Sequence, residues 1–271
     1  MGTHSSQDSI LQTRNLPVSG VWDLLQRAQA DLTFFQDLGF FYSSSEWLAA
    51  KTVIDLGTGN GYYLSRLASH FPEKKYLGLD KSSELIQIAE RDYSKDVIDF
   101  VCCDLFDASG IYEFATMRLL LQHLSDLDAV LSKVAQIIKP GGSALVIDSC
   151  DPLRYFYPPM PEFVRFFAAY TKAQEAMGLD RSVGGQIVEK VEVHPQWEFS
   201  AHHRLIVPST IPGNMELFRR IYGLVIDVIE RTDKVSFNYD KIRAELQWWC
   251  SQERAYTQVG VELVQLKRKD G

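Results

Sequence analysis

The stretch that decides the fold is Val53-Ile54-Asp55-Leu56-Gly57-Thr58-Gly59-Asn60-Gly61-Tyr62. A short apolar, β-favouring run ends in an acid, three glycines fall at alternate positions, and helix-compatible sequence starts near Tyr62: a strand, a tight turn and a helix start. Glycine at 57, 59 and 61 keeps side chains out of the loop. A ligand can therefore lie on backbone N–H groups and on the positive end of the following helix, which suits a nucleotide-like molecule. The G-x-G-x-G spacing differs from the G-x-G-x-x-G of dinucleotide sites and makes a nicotinamide oxidoreductase a remote reading.

The same pattern recurs downstream. Tyr62 to Phe71 reads as a helix stopped by Pro72, and Tyr76-Leu77-Gly78-Leu79-Asp80 is a second strand ending in an acid. A carboxylate there can accept two hydrogen bonds from a ribose diol; Asp80 or Ser82 can also cap the next helix, and the roles are compatible. Ser82 to Tyr93 is that helix, and Ile98 to Cys103 a third strand ending at Asp104-Leu105. Phe114 to Leu121 is predicted as a fourth strand leading into Gln122-His123-Leu124. Leu127 to Ile138 follows as a helix, Lys139-Pro140-Gly141-Gly142 as its stop, and Ala144 to Asp148 as a fifth strand. This alternation predicts an α/β fold with a parallel doubly wound sheet, whose ligands sit at the carboxyl ends of the strands. Asp55, Asp80, Asp104 and Gln122 all fall at such ends.

With these motifs in place, the chain resembles the class I S-adenosylmethionine-dependent methyltransferases, whose first motif reads (D/E)-x-G-x-G-x-G. The resemblance implies a Rossmann-like seven-stranded sheet, mostly parallel, with an antiparallel last strand as its closing edge, an N-terminal helical segment and a lid insertion after the fifth strand. It implies S-adenosyl-L-methionine as cofactor, held by Asp55, Gly57, Thr58, Gly59, Gly61, Asp80 and Lys81. Asp104 and Leu105 would then read the adenine, and Gln122 would lie beneath the methionine part. Arg118 to Leu124 looks like the segment of members that modify metabolites. The chain departs from the family in carrying Ala115 where a carboxylate is often seen, which weakens any carboxylate base on that strand. It also lacks the Asn-Pro-Pro-aromatic tetrapeptide of adenine and glutamine N-methyltransferases.

Ahead of the core, Leu24, Leu25, Ala28, Leu32, Phe35 and Leu38 recur at helical spacing within Val18 to Leu38. This segment resembles the leading helix that closes over the cofactor in many small-molecule members, with Arg27 and Gln29 as its Arg-x-Gln-like pair and Gln29 as a cofactor contact. A helix simply packed on the sheet reads equally well from the pattern. The expected division is a helical cap over residues 1–45 and a methyltransferase domain over 46–271, with its lid at 151–195.

The lid expectation rests on a composition shift: Pro152, Pro158, Pro159 and Pro161 stand among Tyr155, Phe156, Tyr157, Phe163, Phe166, Phe167 and Tyr170. Tyr155, Tyr157, Phe163 and Phe167 are the candidate substrate contacts, although an aromatic stripe serves a core equally well. Beyond it lie a helix at Gln186 to Val191, a strand at Glu198 to Val207, helices at Asn214 to Arg231 and Tyr239 to Ser251, and a last strand at Ala255 to Leu266. Adjacent His202 and His203 must point to opposite faces of their strand.

The 271 residues, 46% of them hydrophobic, can bury one large core. A net charge of −7 argues against a broad nucleic-acid footprint, and no apolar run is long enough to span a bilayer. The four cysteines lack metal or disulfide spacing and read as thiols in a reducing, cytoplasmic setting. Met1 to Ser6 satisfies the loose myristoylation pattern without an accompanying polybasic patch, so residues 1–15 read as a polar leader.

Methyl transfer from a sulfonium is an in-line displacement that asks mainly for alignment and sometimes for proton removal. His123 is the candidate catalytic base, with packing beside the cofactor as its alternative role; a neutral amine acceptor needs no base. The expected function is therefore methyl transfer to an O or N atom of a small molecule in specialised metabolism or biosynthesis. No metal, nucleic-acid or membrane partner is expected, and a homodimer is left open. A protein or RNA methyltransferase, or a non-catalytic relative that binds the cofactor, are the alternatives.

Overall fold

A computed structural model describes residues 13–181, 183–232 and 236–270. Most of the polar leader, including the myristoylation pattern, lies outside the described residues. Helix α1 spans Val18–Ser43 and is followed by short α2 (Ser45–Ala49). The sheet then begins: β1 (Thr52–Leu56), α3 (Tyr62–His70), β2 (Lys75–Asp80), α4 (Ser83–Tyr93), β3 (Ile98–Cys102), β4 (Tyr112–Arg118) and α5 (Leu127–Ile137). The remainder is β5 (Ile138–Tyr157), α6 (Pro161–Glu175), α7 (Val183–Val193), β6 (Trp197–Pro208), α8 (Asn214–Arg231), α9 (Tyr239–Cys250) and β7 (Tyr256–Arg268).

The seven strands form one sheet in the order β3-β2-β1-β4-β5-β7-β6. The pairs among β1 to β5 are parallel, and β7 runs antiparallel to both β5 and β6. The last strand is thus antiparallel as expected, but it lies between β5 and β6 and does not close an edge. Its neighbours explain this: Ala144 to Cys150 of β5 and Phe199 to Val207 of β6 both offer ladder partners, so β7 is paired on both sides.

Two apolar layers sandwich the sheet. Val53, Tyr76, Phe114, Leu145 and Ile147 pack under α1, α3 and α8, whereas Ile54, Leu56, Met117 and Val146 face α5 and α7. Strand residues of opposite parity serve opposite layers, so buried parallel strands read as continuous apolar runs. His202 and His203 obey the same rule: His202 meets Glu262, while the His203 ring packs on Phe40 at 5.7 Å on the other side.

Strand β5 is longer than expected. Its bounds run back through Lys139 to Gly142, where Gly141 still takes φ +70°, and forward across a bulge between Cys150 and Tyr155 to Tyr157. Residues 151–157 are therefore sheet, carried there by pairing of Tyr155, Phe156 and Tyr157 with Gln258, Thr257 and Tyr256. The helices α6 and α7 fill the rest of the segment expected as a lid.

The entry to β1 is fixed by a buried cation. Lys74 is fully buried and donates from Nζ to the carbonyls of Trp47 at 2.7 Å and Ala50 at 2.6 Å, capping α2. Burial depresses its ammonium pKa. Lys74→Met should lower unfolding stability by about 1–3 kcal/mol, because the carbonyls lose a charged donor in a dry site. Urea denaturation checks this, and an unchanged midpoint would contradict the capping role.

Candidate functional site

The order of strands reverses between β1 and β4, so a crevice opens at their carboxyl ends. Leaving β1, the chain turns over β2: Gly57 N and Thr58 N both donate to Leu79 O, at 2.8 and 2.9 Å. Gly59 N then donates to Asp80 Oδ2 at 2.9 Å, while Asp80 Oδ1 accepts from Ser82 N, also at 2.9 Å. Asp80 thus ties the glycine loop to the start of α4, and the Ser82 hydroxyl caps that helix. Gly59 and Gly61 hold φ +58° and +73°, and a Cβ on Gly61 would lie 2.7 Å from Phe100. A residue with a side chain would need both a left-handed backbone and space that is taken.

Asp55 lies beneath this loop, almost wholly buried, and accepts from Thr116 Oγ1 at 2.6 Å. Burial pushes its pKa up to about 6, opposed by the Thr116 hydrogen bond and by the charge of Arg118. Asp104 is exposed at the end of β3 and caps the turn Leu105–Asp107 through Phe106 N, whereas Leu105 is buried. Lys81 is exposed and offers its carbonyl to Cys102 Sγ. The structure therefore groups Asp55, Thr58, the glycines and Asp80 tightly, with Lys81, Asp104 and Leu105 along the neighbouring strand tips.

Helix α1 covers the loop through Gln26. Gln26 Oε1 accepts from Asn60 N at 2.9 Å, and a Cβ on Gly59 would run into the Gln26 carboxamide. Asn60 Nδ2 adds bonds to the Asp23 carbonyl and carboxylate. Gln29 instead lends its main-chain carbonyl to Arg118, which also donates to Thr33 and stacks 4.5 Å from the centre of the Tyr63 ring. Arg27 faces α4, bonded to Asp23, Asp92 and Tyr93. Gln26 and Gln29 sit one turn apart, and the sequence pattern alone does not say which of them reaches the loop.

Gln122 is buried on a turn at Leu121–His123, and His123 beside it is exposed. The chain reaches this turn through Leu119 at φ +53°, whose N–H is held by Ile147 O at 2.7 Å. Gln122 Oε1 accepts from Arg181 Nη1 at 2.6 Å, and Arg181 Nε donates to Asp151 Oδ2 at 2.9 Å. Arg181 links the strand tips to a cleft of about 850 Å³ between the end of β5 and α6. Tyr155, Phe163 and Phe167 line this cleft. Tyr157 does not line it: half exposed, it pairs with Tyr256 across the ladder. A smaller hollow of about 300 Å³ beside Glu113 and Lys139 opens at the amino ends of the strands, away from these groups.

Asp148 is a further buried acid that the motif reading passed over; it lies within β5, level with the strand tips that carry Asp55 and Asp80. It is fully buried and accepts from Ser149 N at 2.8 Å, with the Gln122 backbone also set against its carboxyl. Burial pushes its pKa up to about 7 against the opposing pull of Ser149 N–H and Arg181.

The chain matches the family model described as "Methyltransferase domain" over residues 35–200. It belongs to this family and is a methyltransferase domain of the S-adenosylmethionine-dependent class. The ubiquinone/menaquinone biosynthesis C-methyltransferase UbiE of Desulfotalea psychrophila is 28% identical over 159 residues, 56% of this chain and 62% of that protein. The secondary metabolism regulator laeA of Coprinopsis cinerea is 25% identical over 190 residues, covering 64% and 45% of the two chains. The chain thus spans less than two thirds of the length of these curated relatives. Among solved structures, Haemonchus contortus phosphoethanolamine N-methyltransferase 2, with phosphomonomethylethanolamine and S-adenosylhomocysteine, superposes with a TM-score of 0.56 at 17% identity. That match covers 97% of this chain and 59% of the other, and it shows a shared fold.

The raised Asp148 pKa has a stability consequence with a definite sign. Its carboxyl is harder to ionise folded than unfolded, so its stabilising share is whole below pH ~4 and drains away between pH ~4 and the folded value of about 7. Asp148→Asn, which keeps an acceptor for Ser149 N, should gain about 1–3 kcal/mol at pH 8 and little at pH 4. Guanidinium unfolding at the two pH values measures the difference; equal effects would show that Asp148 ionises normally.

Proposed function

We propose that the protein transfers a methyl group from S-adenosylmethionine to an O or N atom of a small-molecule acceptor in biosynthesis. The observation that carries this reading is the convergence of Asp55, Asp80 and Asp104, on successive strand tips, around a loop whose backbone is bare at Gly57, Gly59 and Gly61. The residues fit the cofactor chemically. Asp80 offers a ribose diol a carboxylate placed at the loop, Asp104 an acceptor for an amino group, and the glycine spacing leaves no room for a side chain that would displace a ligand. Bound there, the cofactor would supply a methyl carbon already attached to a sulfonium leaving group.

The chain's own tasks are then holding, aligning and shielding. Gln122 and the Arg181 that grips it would order the turn where donor and acceptor meet, and His123 on that turn would take up a proton from a hydroxyl acceptor. The apolar cleft would exclude water from the acceptor. The names of UbiE and of the phosphoethanolamine methyltransferase support an acceptor of small size.

A second reading is a regulator that keeps the domain without turnover. It is favoured by Gln26, which occupies an amide of the loop from within the chain, and by the regulator name of laeA.

Calorimetry with S-adenosylhomocysteine tests the cofactor reading first. Wild type should bind, and Asp80→Ala should lose about 1–3 kcal/mol of affinity through unpaired ribose hydroxyls. An absence of binding to wild type would end the methyltransferase reading, and an unchanged affinity in the variant would remove Asp80 from the ribose. Release of S-adenosylhomocysteine from the methyl donor on presentation of a small-molecule acceptor panel separates the two readings: turnover selects the enzyme, binding without turnover the regulator.

A further inference from the structure

The cleft between β5 and α6 has an unusual charge balance at its inner end. Two guanidinium groups, Arg154 and Arg181, share one carboxylate: Arg154 Nη2 donates to Asp151 Oδ1 at 2.6 Å and Arg181 Nε to Asp151 Oδ2 at 2.9 Å. Their side chains are only 16% and 13% exposed. Both guanidinium carbons lie near the Phe167 ring, 3.9 and 5.0 Å from its centre, so an aromatic face separates them from the apolar wall. Arg154 makes no other side-chain hydrogen bond among the described residues, and its buried Nε has no acceptor. Lys172, Glu175 and Asp180 also line the cleft, one cation and two anions, so the positive balance is confined to the arginine pair. At the inner end the two guanidinium groups share Asp151, and the further acid set against Arg181 is Asp148, whose burial disfavours its charged form; an incoming anion therefore relieves an incompletely matched positive charge in a poorly solvated place.

We infer that the acceptor bound in this cleft is an aromatic carboxylic acid, its ring against Phe167 and Tyr155 and its carboxylate on the Arg154–Arg181 pair. This deepens the methyltransferase reading and rests on it, because Arg181 reaches from the cleft to Gln122 at the strand tips. A planar carboxylate matches the fork of a guanidinium with two parallel N–H donors, whereas a neutral amide of the same shape brings no charge and carries its own donors. The aromatic part suits the accessible surface of Phe167 and Tyr155, with the buried Phe163 and Met160 behind it.

The test is a matched pair of probes on the full chain, 3-phenylpropionate and 3-phenylpropionamide, titrated by calorimetry with and without saturating S-adenosylhomocysteine. The acid should bind at least about tenfold more tightly than the amide, and its affinity alone should fall as salt is raised. Arg154→Gln should abolish the preference while S-adenosylhomocysteine still binds, since Arg154 touches none of the strand-tip groups. Arg154→Lys, which keeps the charge without the fork, should retain part of it if the glutamine variant does not fold. Equal binding of acid and amide, or no binding of either, overturns the inference even where the cofactor product binds normally. A protein that prefers the acid but ignores S-adenosylhomocysteine would instead sink the methyltransferase reading and leave the acid site standing.

Discussion

One carbonyl organises the end of this sheet. Leu79 O accepts both Gly57 N and Thr58 N, so the chain leaving β1 must bend across β2 as it emerges from the ladder. That bend delivers Gly59 N to Asp80, and Asp80 in turn holds Ser82 at the start of α4. Backbone donors that run out of strand partners have to be satisfied by something, and here the loop, the carboxylate and the next helix satisfy one another. The glycines are the condition for this arrangement, because left-handed φ values at Gly59 and Gly61 coincide with neighbours in van der Waals contact.

Charge then accumulates at the same end for a physical reason. Successive strands finish in acids, and burial raises the pKa of both Asp55 and Asp148. The cations that offset them come from different parts of the fold. Arg118 reaches from β4 into α1, stacking on Tyr63 and facing the buried Asp37 at 3.5 Å. Arg181 reaches from the turn ahead of α7 to Gln122 and Asp151. Each arginine also ties an added helical layer to the sheet, so the electrostatics of the strand tips and the docking of the covering helices are one problem solved together.

The cleft follows from the unusual length of β5. Pairing with β7 carries the strand through Tyr157, and α6 packs back over that extension through Phe163 against Phe156. A shorter strand would have left residues 151–157 as a loop and the aromatic set without a floor. Instead Tyr155 and Phe156 both line the cleft, and Phe156 also packs into the core against Tyr222 and Trp249.

The sequence by itself determined the parallel half of the sheet, the glycine loop and the acids at its strand tips. These are local signals, in which an apolar run, an acid and alternating glycines dictate strand, tip and turn within a dozen residues. His202 and His203 were legible for the same reason, since strand parity needs no tertiary knowledge. Only the tertiary structure decided that Gln26 and not Gln29 meets the loop, because residues one turn apart share a face and the docking angle of α1 selects between them. It also decided that β7 lies inside the sheet, that Tyr157 falls outside the cleft, and that Arg154, Arg181 and Asp151 meet there. Those outcomes depend on which distant segments pair and pack, and that information is spread over the whole chain and absent from any one stretch of it.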